Sequence, residues 1–165
     1  ESRRRPSAWA VALLVAASAV LLVQSAPRAA ARRAAADSAG TTIDWVDFDR
    51  AEAERLAASG RLVFLDITAD WCVTCKVNER VVLSTPEVVA AFRRYDVVTM
   101  KADWTNRDDG ITRMLAEHGR YGIPFYLLYR PASAPHLFGE LISKQGILDV
   151  LAASSPRQPG LRSAE

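Results

Sequence analysis

Short apolar runs alternate with stretches of helical periodicity along most of the chain after residue 41. Runs typical of buried strands occupy residues 61–67, 97–102 and 125–129, with a shorter one at residues 136–140. Apolar side chains recur at helical spacing within residues 46–59, 72–83, 86–95, 109–118 and 147–152. This alternation predicts an α/β fold with parallel strands, and the two adjacent strands near the end predict an antiparallel edge.

The amino-terminal part of the chain contains one long apolar segment. Residues 8–23 are wholly apolar except for Ser18, and with their neutral flanks they are long enough to cross a bilayer as a helix. A cleaved signal peptide is the alternative, with alanine triplets at residues 29–31 or 34–36 as the cleavage site. We expect a retained membrane helix, because both triplets lie far from the end of the apolar segment. Either interpretation places the rest of the chain outside the cytoplasm.

Composition divides the chain into four parts. Residues 1–24 hold a basic flank and the predicted membrane helix, and residues 25–41 are expected to form a flexible tether. Residues 42–154 are predicted to form one domain of ordinary size, followed by a disordered tail at residues 155–165. From residue 41 onward the chain has 15 Lys and Arg against 17 Asp and Glu. The other six basic residues of the chain are arginines that precede residue 41. This balance predicts no nucleic-acid partner.

The candidate chemistry lies with the only two cysteines, Cys72 and Cys75. They follow the first predicted strand and fall at the start of a predicted helix. The unpaired N–H groups and the dipole of that helix stabilise a thiolate at the first cysteine. The second cysteine lies one turn further along the same face, close enough for a small disulfide ring. The arrangement predicts a reversible dithiol/disulfide couple.

Other uses of the two thiols are less favoured. A structural zinc site needs about four ligands, and only His118 and His136 remain to complete it, without a finger-like spacing. A permanent disulfide would close a loop too small to stabilise the fold much. Two inert buried thiols at a helix start are the third possibility. We therefore predict no metal at this site.

Three motifs indicate a known family. Residues 68–79 read TADWCVTCKVNE, residues 101–105 read KADWT and residues 122–126 read GIPFY. Over roughly residues 45–152, these motifs resemble the C-terminal thioredoxin-like domain of the thiol:disulfide interchange protein DsbD family. The resemblance implies a thioredoxin fold, an α/β fold with a central mixed sheet of about four strands flanked by helices. Here the last membrane helix would precede it.

The resemblance implies roles for the residues around the cysteines. Cys72 is the expected nucleophile that forms a mixed disulfide with a partner, and Cys75 is expected to resolve that disulfide. Trp71 is expected to pack beside the thiols and to shape the docking surface, an ordinary core position being the alternative.

Two acidic residues are candidates for tuning the thiols. Asp66 interrupts an apolar strand six residues before Cys72, which suggests a buried carboxyl beneath the cysteine pair. The matching position of the fold assists proton transfer from the second thiol. Glu79 is four residues after Cys75 on the same helical face and is expected to add to the same field. Bonding of Asp66 to backbone at the strand end, and a plain surface role for Glu79, are the alternatives.

Pro124 opens the third predicted strand after Gly122 and Ile123. In the thioredoxin fold the matching proline follows a cis peptide bond and lies against the cysteines. The resemblance implies the same geometry here, which would leave the backbone of Ile123 free to pair with a partner strand. A trans proline at a strand edge is the alternative.

The resemblance implies a thiol-disulfide oxidoreductase that reduces disulfides of periplasmic proteins with electrons relayed through a membrane partner domain. The redox-active pair Cys72–Cys75 would be its only redox group, without a further cofactor. The expected location is the inner membrane, with the thioredoxin-like domain on the periplasmic side. A disulfide-donating oxidase or isomerase stays open, because direction depends on redox potential and partner. A thiolate module for a metal such as copper(I) is a further alternative.

Overall fold

A computed structural model describes residues 42–154, which form five strands and five α-helices. In chain order these elements are β1 (Trp45–Asp47), α1 (Arg50–Ala58), β2 (Val63–Thr68), α2 (Val73–Asn78), α3 (Pro86–Arg94), β3 (Val98–Asp103), α4 (Asp109–Glu117), β4 (Phe125–Arg130), β5 (Ser133–Leu137) and α5 (Lys144–Ser154). A π-helical turn, Glu79–Leu83, continues α2.

The strands form one mixed sheet in the order β1-β3-β2-β4-β5. Both β1 and β2 run parallel to β3, whereas β4 runs antiparallel to β2 and β5 antiparallel to β4. The predicted α/β class and the antiparallel edge are therefore confirmed. The last strand covers Ser133–Leu137, a few residues earlier than the apolar run predicted.

The amino-terminal end of the domain differs from the prediction. Trp45–Asp47 form a strand where the pattern predicted the start of a helix, so the sheet has five strands instead of about four. This short strand receives its hydrogen bonds from β3, more than 50 residues away, and periodicity does not report such a contact. Helix α1 begins only at Arg50, because Asp49 caps it by accepting a hydrogen bond from the Glu52 N–H at 2.9 Å.

Helices cover both faces of the sheet. Strand β2 is buried along its whole length, as expected for a central strand between two helical layers. Leu65 and Ile67 pack on one face with apolar residues of α1 and α4. Phe64 and its neighbours pack on the other face with residues of α3 and α5. These two apolar layers fix β2 in the centre of the sheet, and the cysteines come a few residues after its end.

Within residues 42–154 no helix is long and apolar enough to cross a membrane. The predicted membrane helix at residues 8–23, the tether at residues 25–41 and the tail at residues 155–165 lie outside the described residues. Those three expectations stay predictions.

Candidate redox site

Cys72 and Cys75 form a disulfide at the beginning of α2, with their Cα atoms 5.3 Å apart. Cys72 is the cap residue of the helix: its backbone is extended, and its sulfur accepts a hydrogen bond from the Cys75 N–H at 3.2 Å. The Cys72 N–H donates in turn to the Ala69 carbonyl at 3.1 Å, which closes the turn from β2 into the helix. The predicted placement of both cysteines at a strand-to-helix junction is confirmed.

Both cysteines are largely covered in this oxidised form. Cys72 is 5% exposed and Cys75 is 2% exposed, so the residue expected to attack a partner is the more exposed of the two by a small margin. The pair packs against Ala69 and against the partly buried side chain of Ile123. A partner must therefore approach Cys72 across the surface formed by its immediate neighbours.

Ile123, which packs against the cysteine pair, is followed directly by Pro124. The peptide bond between them is cis, as the resemblance implied. Pro124 is buried and directly precedes β4, whereas Ile123 is partly exposed. The backbone of Ile123 makes no hydrogen bond with any other residue in the described part of the chain.

Trp71 is a surface residue and not a core tryptophan, because 53% of it is exposed. Its indole N–H donates to the Thr105 carbonyl at 3.2 Å, and its ring centroid lies 6.2 Å from that of Trp104. The hydroxyl of Thr105 accepts from the Asp70 N–H at 3.0 Å and donates to the carboxylate of Asp103. The loop after β3 thus holds the segment before Cys72 in place.

Thr105→Val is expected to loosen that attachment, because valine keeps the shape of threonine but loses both hydroxyl hydrogen bonds. The free energy of unfolding should fall by about 1 kcal/mol, and the tryptophan emission of the protein should shift as the Trp71 ring becomes more mobile. Urea denaturation followed by fluorescence measures both effects. Thr74→Val is the control, since Thr74 is exposed and its side chain makes no hydrogen bond within the described residues. Equal stability losses in the two variants would contradict this role of Thr105.

Asp66 is buried in the middle of β2, as the sequence predicted, with 2% of the residue exposed. Its Oδ1 atom has no hydrogen-bond partner among residues 42–154. Burial raises the pKa of this carboxyl to about 7, against the opposing effect of the Lys101 ammonium. Asp66 pairs in register with Tyr126 of β4, so both side chains lie on the same face of the sheet. Neither sulfur forms a hydrogen bond with the carboxyl in the oxidised protein.

Glu79 is partly exposed but is not a free surface glutamate. Its Oε1 accepts from the Lys101 Nζ at 2.8 Å, an ion pair in which about a third of the glutamate side chain is exposed. The Glu79 charge also contributes to the raised pKa of Asp66, after burial and against Lys101. Glu79 therefore contributes to the field around Asp66 while it is held in an ion pair that the spacing did not reveal, and its effect on the thiols stays a prediction.

Three further polar residues, Asn78, Lys101 and Tyr126, lie around Asp66, and sequence reasoning missed their role. The Asn78 amide donates to the Tyr126 hydroxyl at 3.2 Å and to the Glu140 carbonyl at 2.7 Å. Burial, and next the charge of Asp66, raise the pKa of Tyr126 above its usual value. The Lys101 ammonium lies 4.6 Å from the centroid of the Trp45 ring. One signal was available, since Lys101 interrupts an apolar strand just as Asp66 does.

Neither a cluster of metal-ligating side chains nor the cavity lined by α1 and α4 involves the cysteine pair within the described residues. Among residues 42–154 no three His, Cys, Asp or Glu side chains are placed to hold a metal ion. A cavity of about 630 Å³ is lined by residues of α1 and α4 and by the ends of β1 and β3, and neither cysteine lines it. The chemistry visible at the site is therefore that of the disulfide and its polar neighbours.

Comparison with known sequences gives the same picture. A family model described as thioredoxin-like matches residues 44–131. The thiol:disulfide interchange protein DsbD 1 of Pseudomonas aeruginosa is 33% identical over 122 residues, which cover 72% of this chain and 20% of that protein. DsbD of Escherichia coli is 34% identical over 79 residues, 48% of this chain and 14% of that protein. The chain thus spans about a fifth or less of the length of these relatives.

Solved structures agree on the fold. The reduced C-terminal domain of Neisseria meningitidis DsbD matches with a TM-score of 0.53 at 21% identity, over 66% of this chain and 99% of that one. A thioredoxin from Thermus thermophilus matches with a TM-score of 0.52 at 22% identity, over 67% and 85%. The fold is a thioredoxin fold. Because the matching family model spans more than half of the 165 residues, this chain belongs to the thioredoxin-like family.

Proposed function

We propose that this domain is a thiol-disulfide oxidoreductase that reduces disulfides in other proteins. The observation that carries the proposal is the Cys72–Cys75 disulfide at the start of α2, on a thioredoxin fold. The buried carboxyl of Asp66, which titrates near neutral pH, adds a group able to exchange protons with a thiol at that pH. The similarity to thiol:disulfide interchange proteins supports the same reaction class.

The reaction would proceed in two exchanges. The Cys72 thiolate of the reduced protein attacks one sulfur of the partner disulfide, and the other partner sulfur leaves as a thiolate. Cys75 then gives its proton to Asp66 and attacks the Cys72 sulfur, which releases the partner's second thiolate. Two electrons have passed to the partner, and the Cys72–Cys75 disulfide remains. A dithiol donor must reduce this disulfide before the next cycle.

We place that donor in a membrane electron-relay domain, and the clients among periplasmic proteins or domains that bear disulfides. In this proposal residues 8–23 are the last membrane helix before the redox domain, which lies on the periplasmic side of the inner membrane. Two points support it: the apolar segment together with its neutral flanks is long enough to span a bilayer, and the similar DsbD proteins are about five to seven times as long as the matching region.

Partners would dock around Ile123. Its free backbone N–H and C=O can pair with an extended segment that carries the partner's cysteine, and such pairing demands no particular partner sequence. Trp71, Val73 and Tyr121 expose much of their apolar surface, at 53%, 76% and 87% respectively, and lie one or two residues from Cys72 or Ile123 in the chain. They would supply apolar contact without a specific shape.

Equilibration with glutathione tests the direction of transfer. The full chain in detergent is brought to equilibrium with mixtures of reduced and oxidised glutathione, and the oxidised fraction is read after acid quenching and alkylation. A reductase is expected to have a potential of about −200 mV or lower, and the reduced protein should cleave the disulfides of insulin. A potential near −120 mV would instead make the domain a disulfide donor. Cys72→Ser is the control for the insulin assay.

A further inference from the structure

Lys101 lies among several acidic groups but forms an ion pair with one of them. Asp47 of β1 and Asp66 of β2 both pair in register with Lys101 of β3, so the three side chains leave the same face of the sheet. Glu79 reaches this face from the π-helical turn. Among the described residues, the only carboxylate within ion-pair distance of the Lys101 Nζ is that of Glu79, at 2.8 Å.

The ring of Trp45 supports the ammonium from another side. Trp45 pairs in register with Thr99, two residues before Lys101, so its side chain shares the face of Lys101. The Nζ lies 4.6 Å from the ring centroid, within the range of a cation–π attraction. The ring itself packs 6.4 Å from that of Phe64 in the core. Lys101 is therefore held by an aromatic ring from β1 and by a carboxylate from the π-helical turn.

We propose that Trp45 is a positioning residue of the redox site: its ring and Glu79 together hold the Lys101 ammonium away from Asp66, which has no cation within ion-pair distance among the described residues. The inference rests on the proposed function, because Asp66 is the group expected to take the proton of Cys75. An ammonium in contact with Asp66 would fix the carboxyl in its ionised form and make it a weak proton acceptor at neutral pH.

Several groups around Asp66 set the pKa of its carboxyl, and one of them can be moved by a substitution at Trp45. Burial raises its pKa, Lys101 lowers it, Glu79 raises it and Lys76 of α2 lowers it. From β4 the neutral hydroxyl of Tyr126 faces the same space, held by Asn78. Asp47 lies on the far side of Lys101 from Asp66 and is exposed. Of these groups, Lys101 is the one that contacts Trp45.

Trp45→Leu is the direct test, because leucine keeps an apolar side chain at the sheet edge but offers no ring to the ammonium. The readout is the titration of the Asp66 carboxyl carbon by NMR, in the oxidised full chain, where neither cysteine titrates. The pKa of Asp66 should fall by about one unit as Lys101 moves toward it, since a close opposite charge lowers a carboxyl pKa by about 1–3 units. Trp45→Phe should give a smaller fall, because phenylalanine binds cations less well than tryptophan.

The Lys101→Met variant separates the positioning of the ammonium by Trp45 from a simple packing effect of the ring. Alone it should raise the pKa of Asp66, and in that background Trp45→Leu should cause no further fall. An unchanged titration in Trp45→Leu, or the same fall with and without Lys101, would overturn the proposal. If the leucine variant does not fold, Trp45→Phe decides by the same comparison.

The titration also separates this inference from the function on which it rests. It is measured on the disulfide form and needs no thiol exchange. A failed insulin assay beside a Lys101-dependent fall would count against the proposed function alone, and a working reductase with an unchanged titration would count against Trp45 alone.

Discussion

We expect Cys72→Ser to abolish disulfide reduction. We expect Cys75→Ser to become covalently attached to its partner instead. Without the Cys72 sulfur, the remaining thiol is the less exposed one, at 2%, and it lies inside the first turn of α2. Without Cys75, the mixed disulfide at Cys72 forms but nothing within the chain resolves it. The initial rate of insulin reduction should therefore fall to the background level in both variants.

Non-reducing electrophoresis distinguishes the two variants. Cys75→Ser should accumulate a species with the combined mass of the domain and its partner, which disappears on addition of dithiothreitol. Cys72→Ser should not. The double variant, which has no thiol, is the matched control for adventitious cross-linking. An adduct that forms through Cys75 in the Cys72→Ser variant, at the rate seen with Cys72, would reverse the assigned roles.

Asp66→Asn is expected to stabilise the protein, and more so as the pH rises. The folded carboxyl has a pKa of about 7, while its ordinary value is 3.8. Between these values the native state binds more protons than the unfolded state, so the free energy of unfolding falls as the pH rises through this window. The loss attributable to Asp66 is about 4 kcal/mol above pH 7 and is absent below pH 4. Asparagine does not titrate and avoids this loss.

Urea denaturation of the oxidised protein at pH 4.5 and pH 8 measures the effect. The stability difference between Asp66→Asn and the unmodified protein should favour the variant at pH 8 and shrink toward pH 4.5. Asp70→Asn is the matched control, because Asp70 is exposed and lies on the same side of the cysteines in the chain. If the stability difference between the two proteins were the same at pH 4.5 and pH 8, Asp66 would not change its protonation differently in the folded and unfolded states, which would contradict the raised pKa.

The same variant should be a poorer catalyst at the second exchange. Because asparagine cannot accept the proton of Cys75, we expect the mixed disulfide to resolve more slowly by a factor of about 10²–10³ near pH 7, typical of lost general-base assistance. Stopped-flow measurement of resolution separates this step from the attack of Cys72. A gain in stability with a loss of turnover would mark Asp66 as a residue kept for chemistry at the expense of folding.

The sequence predicted correctly those strands and helices whose own apolar pattern matches their burial in the folded domain. The apolar run ending near Thr68, the cysteines and the helix after them appeared where expected, because burial of β2 on both faces requires a continuous apolar run. Pro86 begins α3 as predicted, since its fixed φ suits the first turn of a helix.

What the sequence did not predict depends on contacts between distant segments. β1 exists because β3 offers it hydrogen bonds, and Val46 in its middle is exposed, so no apolar pattern marks it. The ion pair of Lys101 with Glu79 joins residues 22 positions apart, and the ring of Trp45 comes from a third element. The π-helical turn was also missed, because the change from i→i−4 to i→i−5 hydrogen bonds concerns the backbone, and apolar spacing over only five residues does not report it.

The two hydrogen bonds of Asn78 bear on how the domain changes between its redox states. This amide ties the helix that carries the cysteines to Tyr126 of the central sheet and to the backbone at Glu140, 48 and 62 residues further along the chain. A slide or rotation of α2 on opening of the disulfide would break both bonds and leave buried polar groups unsatisfied. We therefore expect reduction to move the sulfur atoms while the surrounding backbone stays in place. Little reorganisation then accompanies each electron transfer, and a partner meets the same surface before and after the exchange.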